Sequence, residues 1–307
     1  MAEKPQPPTP TGDTPTLSPR PETTHKGQVG RVAIIAGSRG MSGAASLAAL
    51  GALRGGAGLV RVLTPASVQP IVASSEPCLM TVPLPETEHG QLARKKWPMR
   101  LRESLKWADV AALGPGLGEH EELAGMIGDV LEMFAGPMVI DADGLNNIAA
   151  GGPDTWSPRK GRNTVITPHP GEMTRLRRAA GLDDSRGDDD EARLRIAHEY
   201  ACHSGTTVVL KGHHTVVCTR DEAFVNTTGN PGMATGGMGD VLTGLIAALI
   251  GQGLSTFDAA RLGVYCHGLA ADRCAKRIGP VGYLARDVAE MLPEALAQAA
   301  GARMGFK

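Results

Sequence analysis

The amino-acid sequence predicts one α/β domain with three layers, in which helices cover both faces of a central, mostly parallel β-sheet. Short apolar runs alternate with Ala- and Leu-rich helical segments along the chain, and this alternation is typical of parallel sheets built from strand–helix–strand units. Glycine accounts for 40 of the 307 residues, as expected where many strands turn tightly into helices. No linker rich in Pro, Gly or Ser divides residues 29–307, which we therefore assign to a single domain.

Residues 1–28, which precede this domain, are predicted to form a disordered tail. They are rich in Pro and Thr and nearly devoid of apolar side chains, so they cannot bury enough surface to offset the entropy lost on ordering. The first residues lack the apolar stretch of a secretory signal. No apolar run in the chain approaches the roughly 18 residues of a membrane span. We therefore expect a cytoplasmic protein with no membrane contact.

Charge and short motifs exclude several other classes of protein. The formal net charge is -1, from 31 basic and 32 acidic residues, which argues against a general nucleic-acid binder. The five cysteines contain no CxxC pair and fit a reduced, cytoplasmic protein better than a disulfide scaffold. The absence of a GxxxxGK[ST] motif excludes a P-loop, and GSRGMSG lacks the GxGxxG spacing of a Rossmann dehydrogenase.

Six apolar runs are predicted to be the strands of the parallel sheet: 32–37, 59–63, 110–113, 138–141, 164–167 and 208–212. The first two, with the helical segment between them, span about 35 residues, the length of one strand–helix–strand unit. The runs at 215–217 and 223–226 predict a short antiparallel extension. Apolar residues at helical spacing in 241–250 predict a helix packed on the sheet, and Ala-rich segments predict two more at 256–277 and 284–299.

The most specific local motif is TGGMGD, at 235–240, which opens the helix predicted at 241–250. Successive glycines let backbone N–H groups converge, and a helix N-terminus favours a phosphate or an oxyanion. The predicted anion hole consists of Gly237, Met238 and Gly239. Asp240 is the predicted catalytic base, which would take a proton from a substrate hydroxyl while the hole stabilises a transferring phosphoryl group. The alternative is that Asp240 is only the N-cap of the helix.

Two carboxylates follow the fourth predicted strand. Asp141 and Asp143 lie at its end, and Asn146 is the next polar side chain. Because ligands bind at the carboxyl ends of parallel strands, the paired carboxylates Asp141 and Asp143 suit Mg²⁺ held in part through water, and Asn146 is a further candidate to face the site. The alternative is that these residues only form the turn and cap the next helix.

The ends of the next two strands carry further polar residues. His169 lies between two prolines in TPHPGE, and the stiffness of this loop favours a ligand contact over a purely structural role. Glu172 is either an acid in the first turn of a helix or a partner for a metal or its water. Lys211 begins KGHHT, which is placed to wrap the phosphates or sugar of a nucleotide, although an exposed strand-end Lys is the alternative. The cysteines, His213 and His214 show no convincing zinc spacing.

Seven motifs, in this order, resemble those of the nicotinamide-nucleotide-hydrate dehydratases of the ribokinase-like superfamily. They are GSRGMSGAA (37–45), LRGGAGLVRV (53–62), LGPGLG (113–118), VIDADGLN (139–146), TPHPGE (167–172), LKGHHTVV (210–217) and NPGMATGGMGDVLTG (230–244). The resemblance covers nearly all of the chain after residue 29 and implies a ribokinase-like fold. It also implies a carbon–oxygen lyase that returns (S)-NADHX or (S)-NADPHX, the hydrated cofactors, to NADH or NADPH.

The same resemblance implies roles for residues within the matched motifs. The residues that resemble the hydrate-binding set are Ala44, Gly118, His169 and Asp240. The residues that resemble the ADP- or AMP-binding set are Lys211, Gly212, His213, His214, Thr215 and Gly239. The implied mechanism phosphorylates the hydroxyl of the hydrate, with Mg²⁺ on the nucleotide phosphates, and then eliminates phosphate. ADP is the favoured phosphate donor, releasing AMP, and ATP is the alternative.

Partners follow from the resemblance as well. It implies a homotetramer, and many relatives carry an epimerase domain ahead of this one, so we expect a separate epimerase to act on the same metabolite pool. Met238 departs from the pattern, since many relatives have a smaller or polar residue there. The rival functions are an ATP-dependent kinase of a vitamin-type alcohol, which would share the glycine–aspartate helix start, and a nucleotide-sensing module that has lost catalysis.

Overall fold

The computed structural model describes residues 6–13, 16–94, 99–156, 159, 161–183, 187 and 189–300. The strands are β1 (Arg31–Ile35), β2 (Leu59–Pro65), β3 (Met80–Leu84), β4 (Val110–Leu113), β5 (Met138–Ile140), β6 (Thr164–Ile166), β7 (Thr207–Leu210), β8 (Val216–Cys218) and β9 (Ala223–Val225). The helices are α1 (Ser42–Arg54), α2 (Gln69–Ser75), α3 (Met99–Trp107), α4 (Glu121–Met133), α5 (Asp143–Gly151), α6 (Pro153–Trp156), α7 (Pro170–Ala179), α8 (Asp190–Ser204), α9 (Met238–Gly251), α10 (Thr256–Arg277) and α11 (Ala285–Ala299).

The strands form one nine-stranded sheet in the order β3-β2-β1-β4-β5-β6-β7-β8-β9. Neighbours from β3 to β7 are parallel, whereas β8 and β9 are antiparallel to their neighbours. This confirms both the mostly parallel sheet and its antiparallel extension. Sequence analysis did not identify β3, which contains Pro83 and lies at the sheet edge, where a strand tolerates proline.

Helices cover both faces of the sheet, so the three-layer prediction is confirmed. In β1, Val32 and Ile34 belong to the apolar core under α1, α9, α10 and α11, whereas Ala33 and Ile35 face the opposite core under α3, α4, α7 and α8. Burial of both faces requires strands without polar alternation, as is usual in parallel sheets. Within the described part of the chain, no helix is both long and apolar enough to cross a membrane.

Helix α9 is the element that brings a helix N-terminus to the carboxyl ends of the central strands. It packs on β1, β4 and β5, and glycines allow close contact with α1. A Cβ atom on Gly244 would lie 1.8 Å from the carbonyl oxygen of Ala48, and one on Gly51 would lie 2.2 Å from that of Val241. The two helix backbones therefore touch, and a larger residue at either position would push α9 away from α1.

The described residues of the N-terminal segment lie against the domain. Pro10 forms a parallel bridge with Ala223 in β9, and the Arg20 guanidinium donates to the carbonyl of Gly56 at 2.6 Å and to Gln252 at 2.7 Å. These backbone and guanidinium contacts can anchor a segment that has little apolar surface, and disorder of the whole tail stays a prediction. Residues 1–5, 14 and 15 of the predicted tail lie outside the described residues.

Candidate functional site

The candidate site lies where the carboxyl ends of β5, β6 and β7 meet the N-terminus of α9. At the bottom of the site, Lys211 and Asp141 form an ion pair, with 2.6 Å between Nζ and Oδ1. The Thr243 hydroxyl of α9 donates to the other oxygen of Asp141 at 2.7 Å. Burial alone would raise the pKa of Asp141, but the Lys211 ammonium and the hydroxyl donors hold it below its usual value. Asp141 is therefore a buried carboxylate with both oxygens bonded.

Lys211 is the cation that this carboxylate requires. Burial acts to lower its pKa, but the charges of Asp141 and Glu172 raise the pKa above the usual value. Its Nζ lies 3.9 Å from Oε2 of Glu172. The alternative of an exposed strand-end lysine is wrong, because the Lys211 ammonium is held between these acidic side chains.

The glycine loop places the first turn of α9 beside this ion pair. A Cβ atom on Gly239 would lie 3.2 Å from the Nζ of Lys211 and 3.5 Å from Oδ2 of Asp141. Gly237 has a φ of 89°, and a Cβ atom there would meet Leu47 at 2.4 Å, so glycine is required on both counts. The side chain of Met238 is buried in the apolar core and does not cover the amides of the loop.

Asp240 belongs to the first turn of α9 and is not its cap. The helix predicted to begin at 241 begins at Met238, and its N-cap is Gly237, because the left-handed glycine ends the loop earlier than the apolar pattern indicated. The N-cap alternative for Asp240 is therefore wrong. No hydrogen bond to its carboxylate is found within the described part of the chain.

The electrostatics of Asp240 fit a general base. Burial, followed by the negative charges of Asp141, Asp143 and Glu172, raises its pKa to about 7, although the charge of Lys211 acts in the opposite direction. A carboxylate with a pKa near the working pH is suited to take a proton from a substrate. The position beside the amides of α9 is where a transferred phosphoryl group would be stabilised.

His169 and Glu172 form a capping box at the start of α7, which the sequence analysis did not identify. Nδ1 of His169 accepts from the amide of Gly171 at 3.0 Å, and Glu172 accepts from the amide of His169 at 2.7 Å. A neutral ring that accepts at Nδ1 carries its proton on Nε2, which lies 3.2 Å from Glu172. Burial and then the charges of Lys211 and Arg175 lower the pKa of His169, whereas burial raises the pKa of Glu172 to about 6.

A second group of polar contacts joins the GPGLG loop to α5. The amide of Gly118 donates to Asp143 at 2.8 Å, and the Asn147 side chain donates to the carbonyl of Gly118 at 2.8 Å. A Cβ atom on Gly116, which has a φ of 63°, would lie 2.9 Å from the Cβ of Ala44. Ala44 of α1 therefore packs against the loop that contains Gly118. Asn147 was missed because its sequence position gives no indication that it reaches back to a loop.

Backbone strain accompanies this group of contacts. Ala142, between Asp141 and Asp143, has a φ of 48° and a ψ of -122°. A residue with a Cβ atom rarely adopts this conformation, and such strain is concentrated at functional sites. The strained turn directs Asp141 towards Lys211 and Asp143 towards Gly118.

The loop after β7 lies at the exposed rim of the site. The amide of Lys211 donates to the carbonyl of Pro168 at 2.9 Å, which ties this loop to the one that carries His169. The Thr215 hydroxyl donates to the carbonyl of Gly212 at 2.9 Å. The rings of His213 and His214 lie 3.8 Å apart between centroids. The five predicted nucleotide-binding residues of this loop thus form one continuous segment that begins at the Lys211–Asp141 pair.

The candidate metal-binding residues do not form a protein metal site. Both oxygens of Asp141 are bonded, and Oδ1 of Asn146 accepts from Arg175 at 3.0 Å. Glu172 is bonded to the His169 amide. Among the residues that the structure describes, no group of three or more His, Cys, Asp or Glu side chains is arranged to hold a metal ion. These three residues therefore do not fit a metal held by the protein alone.

Comparison with known proteins identifies the family. Residues 32–294 match the Carb_kinase family, described as NAD(P)H-hydrate dehydratase. The chain belongs to this family. It is 35% identical over 269 residues to the ADP-dependent (S)-NAD(P)H-hydrate dehydratase of Xanthomonas campestris, covering 87% of this chain and 88% of that protein. The resemblance found in the seven motifs is thus confirmed.

The chain is also similar to a longer, bifunctional relative and to a solved structure. The bifunctional NAD(P)H-hydrate repair enzyme Nnr of Moorella thermoacetica is 43% identical over 281 residues, covering 91% of this chain and 51% of that protein. The chain thus spans about half the length of the first curated relatives it matches. The ADP/ATP-dependent NAD(P)H-hydrate dehydratase of Bacillus subtilis, co-crystallised with ATP/Mg²⁺, is 28% identical, with a TM-score of 0.75 and coverage of 92% and 95%. The predicted ribokinase-like fold is confirmed by solved members of that superfamily.

Proposed function

We propose that this chain is an ADP-dependent (S)-NAD(P)H-hydrate dehydratase, a lyase that converts (S)-NADHX and (S)-NADPHX to NADH and NADPH. The observation that carries the proposal is Asp240, a carboxyl group with a pKa raised to about 7 that lies in the first turn of α9, next to Gly239 and the Lys211 ammonium. A base, an anion-stabilising helix start and a buried cation are the groups that phosphoryl transfer to a hydroxyl requires.

In the proposed reaction, Asp240 takes the proton from the hydroxyl of the hydrate. The hydroxyl oxygen then bonds to the β-phosphorus of ADP, and the bond from that phosphorus to the bridging oxygen breaks, so that AMP leaves. The N–H groups at the start of α9 stabilise the charge on the transferred group. The C–O bond to phosphate then breaks and a proton leaves the adjacent carbon, which restores the ring double bond. Phosphorylation is needed because hydroxide is a much poorer leaving group than phosphate.

The binding residues divide between the two ligands. We assign Ala44, Gly118 and His169 to the hydrate, and the loop at 211–215 with Gly239 to the nucleotide. The described geometry supports this division, since Ala44 of α1 packs against Gly116 in the loop that contains Gly118, and a Cβ atom on Gly239 would lie 3.2 Å from the Nζ of Lys211. Because the candidate metal-binding residues do not fit a metal of their own, we expect Mg²⁺ to bind with the nucleotide phosphates. The Bacillus subtilis relative was co-crystallised with ATP and Mg²⁺ together, which agrees with this expectation.

We also propose a functional partner, a separate epimerase, and an oligomeric state for this chain. The bifunctional names of several relatives support an epimerase that acts on the same hydrates and supplies the (S) form. We also propose a cytoplasmic homotetramer, whose mass can be measured by light scattering during size-exclusion chromatography.

The deciding experiment is recovery of absorbance at 340 nm from chemically hydrated NADH or NADPH. Purified protein and Mg²⁺ are mixed with ADP or ATP in separate wells. Recovery with ADP and little with ATP is the expected result, and the reverse would identify ATP as the donor. Folded protein that binds adenylate but restores no absorbance with either nucleotide would contradict the proposal and direct the search to alcohol substrates of a kinase.

A further inference from the structure

The first turn of α8 contacts the start of the loop at 211–215 through Arg193. Arg193, in that turn, is buried with 8% of its surface exposed. Its Nη2 donates to the carbonyl of Leu210 at 3.0 Å and to the carbonyl of Lys211 at 3.2 Å. Helix α8 thus carries a buried cation that is directed at the proposed nucleotide loop.

The fit between Arg193 and the loop is close. A Cβ atom on Gly212 would lie 2.9 Å from both Nη1 and Nη2 of Arg193, and Gly212 has a φ of 147°. The guanidinium thus packs against the backbone of the loop, and only glycine leaves it room. A side chain at position 212 would therefore displace the guanidinium of Arg193.

The two bonded carbonyls fix the direction of the loop amides. In a trans peptide the N–H points opposite to the C=O, so a guanidinium that holds the carbonyls of Leu210 and Lys211 also directs the amides of Lys211 and Gly212 away from α8. These amides donate to the Pro168 carbonyl and to the Thr215 hydroxyl at 3.3 Å. Arg193 therefore sets the course of the chain on both sides of Lys211.

Asp190 adds a second and weaker contact. Its Oδ2 lies 2.8 Å from Nδ1 of His214, whose φ is 50°. Both side chains are partly exposed to solvent, where an ion pair contributes little. The larger contribution should therefore come from Arg193.

We propose that Arg193 is a positioning residue that shapes the loop at 211–215 for the nucleotide, with a smaller contribution from Asp190. The proposal rests on the proposed function, in which this loop binds ADP. The planar guanidinium can hold two carbonyls in one geometry, which a single ammonium cannot reproduce. It also places a second positive charge behind a loop that would receive phosphates.

The test compares Arg193→Met with Arg195→Met. Arg195 is on the same helix, but it is exposed and pairs with Glu191, so its loss controls for a change of charge on α8. The dissociation constant for ADP is measured by calorimetry, and KM for ADP, KM for the hydrate and kcat are measured at 340 nm. For Arg193→Met we expect ADP to bind at least about tenfold more weakly, with a change below about threefold in KM for the hydrate. Arg195→Met should match the wild type, and Arg193→Lys should lie between.

Each other outcome has a definite meaning. Unchanged ADP affinity in folded Arg193→Met would overturn the proposal. A fall in kcat and a rise in both KM values by the same factor, with the ADP-induced rise in Tm unchanged, would show a structural role only. This result would also overturn the proposal. If Arg193→Met does not fold, Arg193→Lys replaces it, because lysine keeps the charge but cannot hold both carbonyls in one geometry. We then expect ADP to bind about threefold more weakly, and unchanged ADP affinity would overturn the proposal. Wild-type protein that binds no ADP would instead refute the proposed function, on which this inference depends.

Discussion

Replacing Asp240 with Asn tests the proposed base through both rate and pH. The amide cannot take a proton, so turnover should fall by about 10²- to 10⁴-fold, while ADP affinity stays within about twofold because the backbone amides of the loop are unchanged. In the wild type, the base must be ionised. With a pKa of about 7, kcat/KM should rise with pH, reach a plateau near pH 8, and be about tenfold lower at pH 6 than at the plateau.

The same substitution should stabilise the protein, by an amount that depends on pH. A rise in the pKa of Asp240 from 3.8 to about 7 means that the folded state binds its proton more tightly than the unfolded state. This contribution to stability is complete below pH 3.8 and is lost as pH rises through 7. At 1.36 kcal/mol per pKa unit, the loss is at most about 4 kcal/mol. Asp240→Asn should therefore have a larger free energy of unfolding than the wild type at pH 8, and about the same at pH 4.

The assays are recovery of absorbance at 340 nm and urea unfolding at several pH values. Asp258→Asn is a suitable control, because Asp258 also lies in the first turn of a helix but is paired with Arg261. If Asp240→Asn kept more than a tenth of wild-type turnover, or if the wild-type rate were flat between pH 6 and 8, Asp240 would not be the base. If the variant gained no stability at pH 8, the Asp240 carboxylate of the wild type would not destabilise the folded state, and its pKa would not be raised.

Two further substitutions test the ion pair and the helix contact that hold the site. Lys211→Met leaves Asp141 as a buried charge without its cation and should lower the free energy of unfolding by about 3–5 kcal/mol, measured in urea; a loss below about 1 kcal/mol would contradict a buried ion pair. Gly244→Ala places a Cβ atom 1.8 Å from the Ala48 carbonyl and should destabilise by at least about 1–3 kcal/mol. Its control, Gly128→Ala in α4, has no atom within 4 Å of the new Cβ and should be neutral or stabilising by up to about 1 kcal/mol.

The sequence was sufficient to place the strand ends but not the contacts between them. Runs such as those of β1, β4 and β5 are continuously apolar because both faces are buried, so their ends, and therefore Asp141, could be located. Residues 70 positions apart, such as Asp141 and Lys211, could be assigned to the same sheet edge by topology alone. That they form an ion pair instead of a metal site depends on side-chain geometry, which no local pattern encodes.

Buried arginines were the main feature that the sequence could not indicate. Arg159 is fully buried and donates to the carbonyls of Phe134 and Gly136, while Arg193 does the same for the loop after β7. Charged side chains are usually exposed, so arginine in a charged segment is expected to face solvent. Buried backbone carbonyls that accept from a guanidinium reverse this preference, because a buried carbonyl needs a donor.

The charge balance of the site determines which carboxyl group can act as a base. Lys211 is the cation that lies against Asp141, Glu172 and Asp240, and it is bonded to Asp141. Burial raises the pKa values of the other two acids, to about 6 for Glu172 and about 7 for Asp240, because the opposing charge of Lys211 does not offset it. A bound nucleoside diphosphate adds negative charge at the same edge of the sheet and raises both values further. The pKa seen in kcat should accordingly exceed that seen in kcat/KM, since the first reports the ligand complex and the second the free enzyme. A lower pKa in kcat would mean that the bound nucleotide, together with its Mg²⁺, adds net positive charge to the site.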